Sequence, residues 1–173
     1  KELAEKQVTV LEKLLKTEAS LLDAGQKFAD QGAWLMSARL RVDAAEMHLV
    51  SSKALPARMT DLLHRTIYQA SADADMPTYL PFDRIAKIDD KLATLARARY
   101  TFYFKDQKQG QNLLNQLKQA SPIMPEAQLL QAEIDAKLGQ YDAARQALTE
   151  LSKNPAETDW MRAAAESIKG ALH

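Results

Sequence analysis

The chain has 173 residues with 23 basic and 23 acidic side chains, so its formal net charge is zero. Binding to nucleic acid or to an anionic membrane needs a positive surface, and this balance argues against both kinds of partner. The absence of cysteine excludes disulfides, thiolate zinc sites and cysteine nucleophiles. No apolar run reaches the roughly 18 residues of a membrane span. No signal peptide is apparent, and because the chain starts at Lys1 we expect natural protein to extend upstream, which leaves the compartment open.

The residue pattern points to one fold class. Alanine and leucine are abundant, and no segment alternates apolar and polar residues with the period of two that strands show. The sequence therefore predicts an all-α protein of about seven or eight helices arranged as antiparallel hairpins. We expect an N-terminal long-helix bundle or coiled-coil segment over residues 1–82. Helical repeats are expected over residues 83–173, ending in a capping helix.

Residues 3–54 carry a heptad pattern, with lapses at Thr17 and Gln31. This pattern predicts one long helix or a kinked pair with a single apolar seam. A break near residues 30–32 is expected because glycine is a poor helix former. The seam either packs on helices of the same chain or forms a homodimer through residues 10–49 that acts as a structural spacer. Its members are Leu14, Leu21, Phe28, Leu35, Val42 and Leu49.

The middle of the chain is punctuated by proline. Pro56 forces a turn, after which residues 57–73 are predicted to form a helix. Residues 74–82 contain two prolines and are predicted to be the longest loop. Asp83 is then expected to cap a helix over residues 84–104.

One pattern appears twice over residues 92–122 and 124–155, with an offset of 34 residues. In the second copy, Pro125 is predicted to begin a helix and Gly139 to end it. A second helix from Tyr141 must then fold back antiparallel, because the intervening loop is short. Asn154 is expected to cap the next helix. Matching pairs across the two copies are Leu95 with Leu129, Ala98 with Ala132, Gly110 with Ala144, Leu114 with Leu148, and Leu117 with Leu151.

The second copy resembles a tetratricopeptide-type repeat, which is a 34-residue helix–turn–helix unit. The residues that match in order are Ala132, Gly139, Tyr141, Ala144, Leu148 and Pro155. The resemblance extends over residues about 92–172 and implies an α-solenoid in which the first helix of each repeat lines a concave binding face. It also implies that the partner is a protein or a peptide.

The grouping closest to a metal site consists of Glu46, His48, Asp61 and His64. Carboxylates and imidazoles on two facing helices can bind zinc or iron. However, Glu46 and His48 point about 200° apart around a helix and cannot share one site. We therefore expect no metal and no other cofactor, with a surface contact between Glu46 and His64 instead. Catalytic motifs such as a glycine-rich phosphate loop are absent, so the sequence predicts no enzyme.

A cluster of aromatic residues at positions 100–104 follows Arg97 and Arg99. Four aromatics in five helical positions cannot all face one core, so this helix is either central in the core or lines a peptide groove. Six residues on the predicted first helices lack an evident packing role and combine bulk with hydrogen-bonding groups. They are the predicted peptide-binding residues, expected to take a polar or mixed peptide: Arg97, Tyr100, Tyr103, Gln128, Gln131 and Asp135. The sequence thus predicts a non-catalytic binding scaffold.

Overall fold

The computed structural model describes residues 2–172, which form eleven α-helices and no β-strand. The all-α prediction is confirmed, but the expected number of helices was too low because two regions break more often than predicted. The helices are α1 Glu2–Leu14, α2 Glu18–Asp30, α3 Trp34–Ser51, α4 Ala57–Ala70, α5 Met76–Tyr79, α6 Phe82–Ala86, α7 Asp90–Phe104, α8 Gln107–Lys118, α9 Pro125–Lys137, α10 Tyr141–Ser152 and α11 Asp159–Ala171.

The chain divides into two compact units, Lys1–Tyr100 and Thr101–His173. The division between these units falls inside α7, and the domain boundary expected after residue 82 stays a prediction. In the first unit α3 is central and packs against α1, α2, α4 and α5. In the second unit α9 is central and packs against α8, α10 and α11. Each unit is therefore built around one largely buried helix.

The heptad segment forms three helices rather than one. The predicted break near residues 30–32 is confirmed, with Gly32 in the left-handed region at φ 72°. A further break falls before α2, where the Thr17 hydroxyl accepts a hydrogen bond from Ser20 N at 3.1 Å in a capping box. Both breaks coincide with the two lapses in the heptad. A continuous stalk is therefore wrong, and Leu21, Leu35 and Val42 of its seam are buried in this chain. Homodimerisation through residues 10–49 stays a prediction.

The stretch between α4 and α7 differs from its prediction. The expected loop over residues 74–82 contains α5, and the expected helix over residues 84–104 is interrupted at residues 87–89. Asp83 lies inside α6 rather than capping a helix, whereas Asp89 accepts a hydrogen bond from Leu92 N at 3.0 Å at the start of α7. These short helices form because Met76 and Ile85 are fully buried. Tertiary burial thus overrides the local signals.

The helix boundaries predicted for the second copy are confirmed. Helix α9 begins at Pro125, Gly139 has φ 75° after it, and α10 begins at Tyr141. The role predicted for Asn154 is wrong, because α11 begins only at Asp159. Asn154 instead accepts a hydrogen bond from Ala156 N at 3.0 Å and turns the backbone before that helix.

One backbone hydrogen bond recurs at three helix–helix turns. The amide donates to the carbonyl five residues earlier in each turn, and the turns are those between α2 and α3, α7 and α8, and α9 and α10. Two of the three turns lie 34 residues apart, as the sequence repeat requires. The third turn lies at the break predicted near residues 30–32, but no repeat was predicted there. The bonds are Ala33 N to Phe28 O at 2.9 Å, Asp106 N to Thr101 O at 2.9 Å, and Gln140 N to Asp135 O at 2.8 Å.

A small residue follows each of these turns at the equivalent position of the second helix. These residues are Ser37, Gly110 and Ala144, and all three are buried. At Gly110 an added Cβ would lie 2.6 Å from the backbone N of Phe102, so no side chain fits. The Ser37 hydroxyl donates to Gly25 O at 2.7 Å across the crossing of α2 and α3. A small residue at this position therefore lets the two helices of each hairpin come close.

We predict that Gly110→Ala destabilises the protein by about 1–3 kcal/mol, because the new methyl group must displace the α7 backbone. Gly170→Ala is the matched control, since nothing lies within 4 Å of a Cβ added there. The control is expected to be neutral, or stabilising by up to about 1 kcal/mol through helix propensity. Thermal and urea unfolding measure both changes. Equal unfolding midpoints for the two variants would contradict the close approach at Gly110.

Candidate functional site

Helix α9 carries a row of polar side chains although it is the central helix of its unit. Gln128, Gln131 and Asp135 follow each other at spacings of three and four residues and so share one face. The two glutamines are half-buried, and Asp135 is only 6% exposed. Burying such groups is costly unless they are hydrogen-bonded. Their partners therefore determine what this face can do.

Lys118, Gln131 and Asp135 form a hydrogen-bonded chain. Lys118 Nζ at the end of α8 donates to Gln131 Oε1 at 2.9 Å, and Gln131 Nε2 donates to Asp135 Oδ1 at 2.9 Å. Burial raises the pKa of Asp135, although the hydrogen bond from Gln131 and the charge of Lys118 act in the opposite direction. The amide of Gln131 is thus held in one orientation between a cation and a buried carboxyl group.

Gln128 lies in a second polar contact at the start of α9. Asn154 Nδ2 donates to Gln128 Oε1 at 2.8 Å and to Ile123 O at 3.0 Å. This arrangement ties the loop before α9 to the loop after α10. The side chain of Gln128 is half-buried, and its oxygen is the atom that takes part in this contact.

Arg97 and Tyr100 belong to the first unit and share one neighbour, Phe82. The Arg97 guanidinium lies over the Phe82 ring at 5.5 Å and pairs with Asp83 at 3.4 Å, with its side chain largely exposed. The Tyr100 ring lies 5.6 Å from that of Phe82, and its hydroxyl donates to Ala74 O at 3.1 Å. Tyr100 is only 8% exposed, so the expectation that it lacks a packing role is wrong.

The remaining aromatic residues of the cluster differ in burial. Phe102 is buried, Tyr103 is half-buried and packs edge-on against Phe102 at 5.3 Å, and Phe104 is exposed. The prediction that these aromatics cannot all face one core is thereby confirmed. The structure brings Gln131 and Asp135 together with Lys118, and Arg97 together with Phe82 and Asp83. The sequence analysis did not predict the contact of Lys118 with Gln131 or that of Asn154 with Gln128.

The metal-like grouping is divided among separate partners. Glu46 binds Arg84 with 2.7 Å between Oε1 and Nε, and His48 lies 3.1 Å from Glu18. His64 lies 3.0 Å from Asp89 and is the largest cause of a lowered pKa of that carboxyl. Within residues 2–172, no three His, Asp or Glu side chains are placed to hold a metal ion. None of the helices in this range has the length and apolar character to cross a bilayer.

Comparison with known proteins gives no relative from which a role can be transferred. No protein-family model, curated protein or solved structure matches the chain. The candidate site consequently rests on its own residues: Gln128, Gln131 and Asp135 with Lys118 and Asn154.

We predict that Asp135→Asn leaves the protein as stable as the wild type, or more stable, at neutral pH. The raised pKa means that the folded state favours the protonated acid, so ionisation costs stability as the pH rises through the folded pKa. Asparagine keeps an oxygen that accepts from Gln131 without the charge. Any advantage should vanish below about pH 4, the ordinary range of an aspartate. Thermal midpoints across pH measure this, and a loss of stability that is constant with pH would contradict it.

Proposed function

We propose that the chain is a non-catalytic helical-repeat module that binds a protein or peptide, with tetratricopeptide-like units over residues about 92–172. The recurring turn hydrogen bond supports the repeat interpretation, since two of its three occurrences have the 34-residue spacing of the sequence copies. Packing of α9 against the helices that precede and follow it also fits a repeat array, in which each unit contacts its neighbours.

The observation that carries the binding proposal is the polar row on α9. A central helix needs apolar residues, yet α9 keeps two half-buried amides and a buried carboxyl whose pKa is raised. Ionisable groups with perturbed pKa values are concentrated at functional sites. In tetratricopeptide-type repeats the first helix of each unit, which here is α9, lines the concave face. The row therefore suits ligand contact better than core packing.

The chemistry of the row indicates the class of ligand. An amide side chain offers both a donor and an acceptor, and so matches the N–H and C=O groups of a peptide backbone. Lys118 and Asp135 add one charge of each sign, which fits a polar or mixed peptide rather than a highly acidic one. Arg97 and Tyr103 remain in the proposed set because they keep exposed or half-exposed surface, whereas the contacts of Tyr100 are those of a packing residue.

A second candidate function is a dimerising spacer. The apolar residues Leu3, Val10 and Leu14 of α1 are 54% to 70% exposed, and apolar stripes of this kind mark interaction surfaces. The buried seam residues on α2 and α3 weaken this candidate, because they pack within the chain. A molecular mass in solution that rises to twice that of one chain as the protein concentration increases would favour the dimerising spacer.

Selection from a displayed library of random peptides tests the binding proposal. We expect Gln128→Ala combined with Gln131→Ala to weaken the binding of the selected peptides by about 5- to 150-fold, because each change removes a hydrogen-bonding group worth about 0.5–1.5 kcal/mol. Gln146→Ala is the matched control, because this glutamine lies exposed on α10 outside the row. Titration calorimetry gives the affinities.

Thermal melts accompany these measurements, since Gln131 also supports Asp135. Weaker binding with an intact midpoint supports a ligand role for the row. Failure of the wild type to enrich any peptide, or equal affinity for the double variant and the Gln146 control, would contradict the proposal.

A further inference from the structure

Helix α1 is held to its unit by little apolar contact. It packs against α3, with Val8 fully buried, whereas Leu3, Val10 and Leu14 face outward. One buried valine provides roughly 1.5–3 kcal/mol, which alone is a weak anchor for a 13-residue helix. Leu11 is only half-buried, so the contact that Glu12 makes with α3 adds an important part of the attachment of α1.

Glu12 enters a half-buried group of charges. Its Oε2 accepts from Arg39 Nη2 of α3 at 2.7 Å. Asp43 and Glu46, also on α3, both bind Arg84 of α6, Asp43 through Oδ1. The group thus holds three carboxyls and two guanidiniums, an excess of one negative charge when every carboxyl is ionised.

Two oxygens in this group have no hydrogen-bond partner within residues 2–172. They are Glu12 Oε1 and Asp43 Oδ2, both buried. Both residues line one cavity of about 480 Å³, to which α2 contributes only the uncharged Leu21. Ionised carboxylate oxygens can only accept, so two of them cannot satisfy each other. A single proton between the two would satisfy both.

We propose that Glu12 carries a proton that it donates in a hydrogen bond to Asp43, and that this proton controls the docking of α1 on α3. With the proton in place, Glu12 bridges Arg39 and Asp43 and α1 is docked. Without it, two negatively charged carboxylates lie close together at a partly buried site, and their repulsion loosens α1. Release exposes Val8 and the α3 surface beneath it, so the shape of the first unit responds to pH.

The charges around Glu12 set the direction of the response. Burial and then the charge of Asp43 raise the pKa of Glu12, and Arg39 and Arg84 only partly oppose this. A raised pKa in the docked state means that the stabilisation is complete below about 4.3, the ordinary glutamate value. It is lost as pH rises through the folded pKa. Docking therefore tightens towards acid pH.

Amide hydrogen exchange of the whole chain, expressed as protection factors, tests this at about pH 4 and pH 8. In the wild type we expect α1 amides to lose protection several-fold from the lower to the higher pH, because the stabilisation from the proton is lost over that range. Glu12→Gln should abolish the difference, because glutamine accepts from Arg39 and donates to Asp43 at either pH. Glu2→Gln, at the exposed start of α1, should keep the wild-type response.

Asp43→Asn is the second variant, since its amide can accept from Arg84 and donate to Glu12. Asp43→Asn should remove the pH dependence of α1 protection, as Glu12→Gln does. The same result from two different variants would show that the proton, and not misfolding of one variant, is responsible. Unchanged wild-type protection between the two pH values overturns the proposal. So does a pH response that persists in both variants.

Discussion

The structure depends on the close crossing of two antiparallel helices beside a short turn. At Gly110 the partner backbone lies where a Cβ would be, so the hairpin cannot close on a larger residue. The turn before it is fixed by a backbone hydrogen bond from Asp106 N to Thr101 O, and the same bond recurs at two other turns. Each of these hairpins therefore presents its neighbours with a fixed pair of helices.

A consequence of close packing is that polar groups on the central helices need local partners. In the first unit, Arg41 of α3 is buried and donates to Thr66 and to Gln26, and burial lowers its pKa. In the second unit, α9 instead buries Asp135 and orients it through Gln131. The first unit thus buries a basic side chain, and the second an acidic side chain, on its central helix. In the second arrangement two half-buried amides, Gln128 and Gln131, lie on the same helix face as the buried acidic group, which is why the binding proposal lies there.

The sequence predictions were right where neighbouring residues in the chain decide the structure, and wrong where contacts between distant residues decide it. Local signals such as Pro125 and Gly139 determined the hairpin of α9 and α10 correctly. Burial of Met76 and Ile85 formed short helices that no local signal marks. The polar row of α9 was identifiable because it violates an apolar pattern, but its partner Lys118 comes from another helix. A Gly–x–aromatic signal at residues 32–34, like that at 139–141, was present and was obscured by the heptad.

Native-state hydrogen exchange of three amides tests most directly whether the closed helical hairpin is the unit of structure. Ala33, Asp106 and Gln140 donate the recurring turn bond, although each lies next to or outside a helix end. If the closed hairpin is the unit of structure, all three amides exchange only when their hairpin opens. Their protection should then match that of the buried amides of the adjoining helices. If all three amides exchange at the rate of exposed loops, the closed hairpin is not the unit of structure.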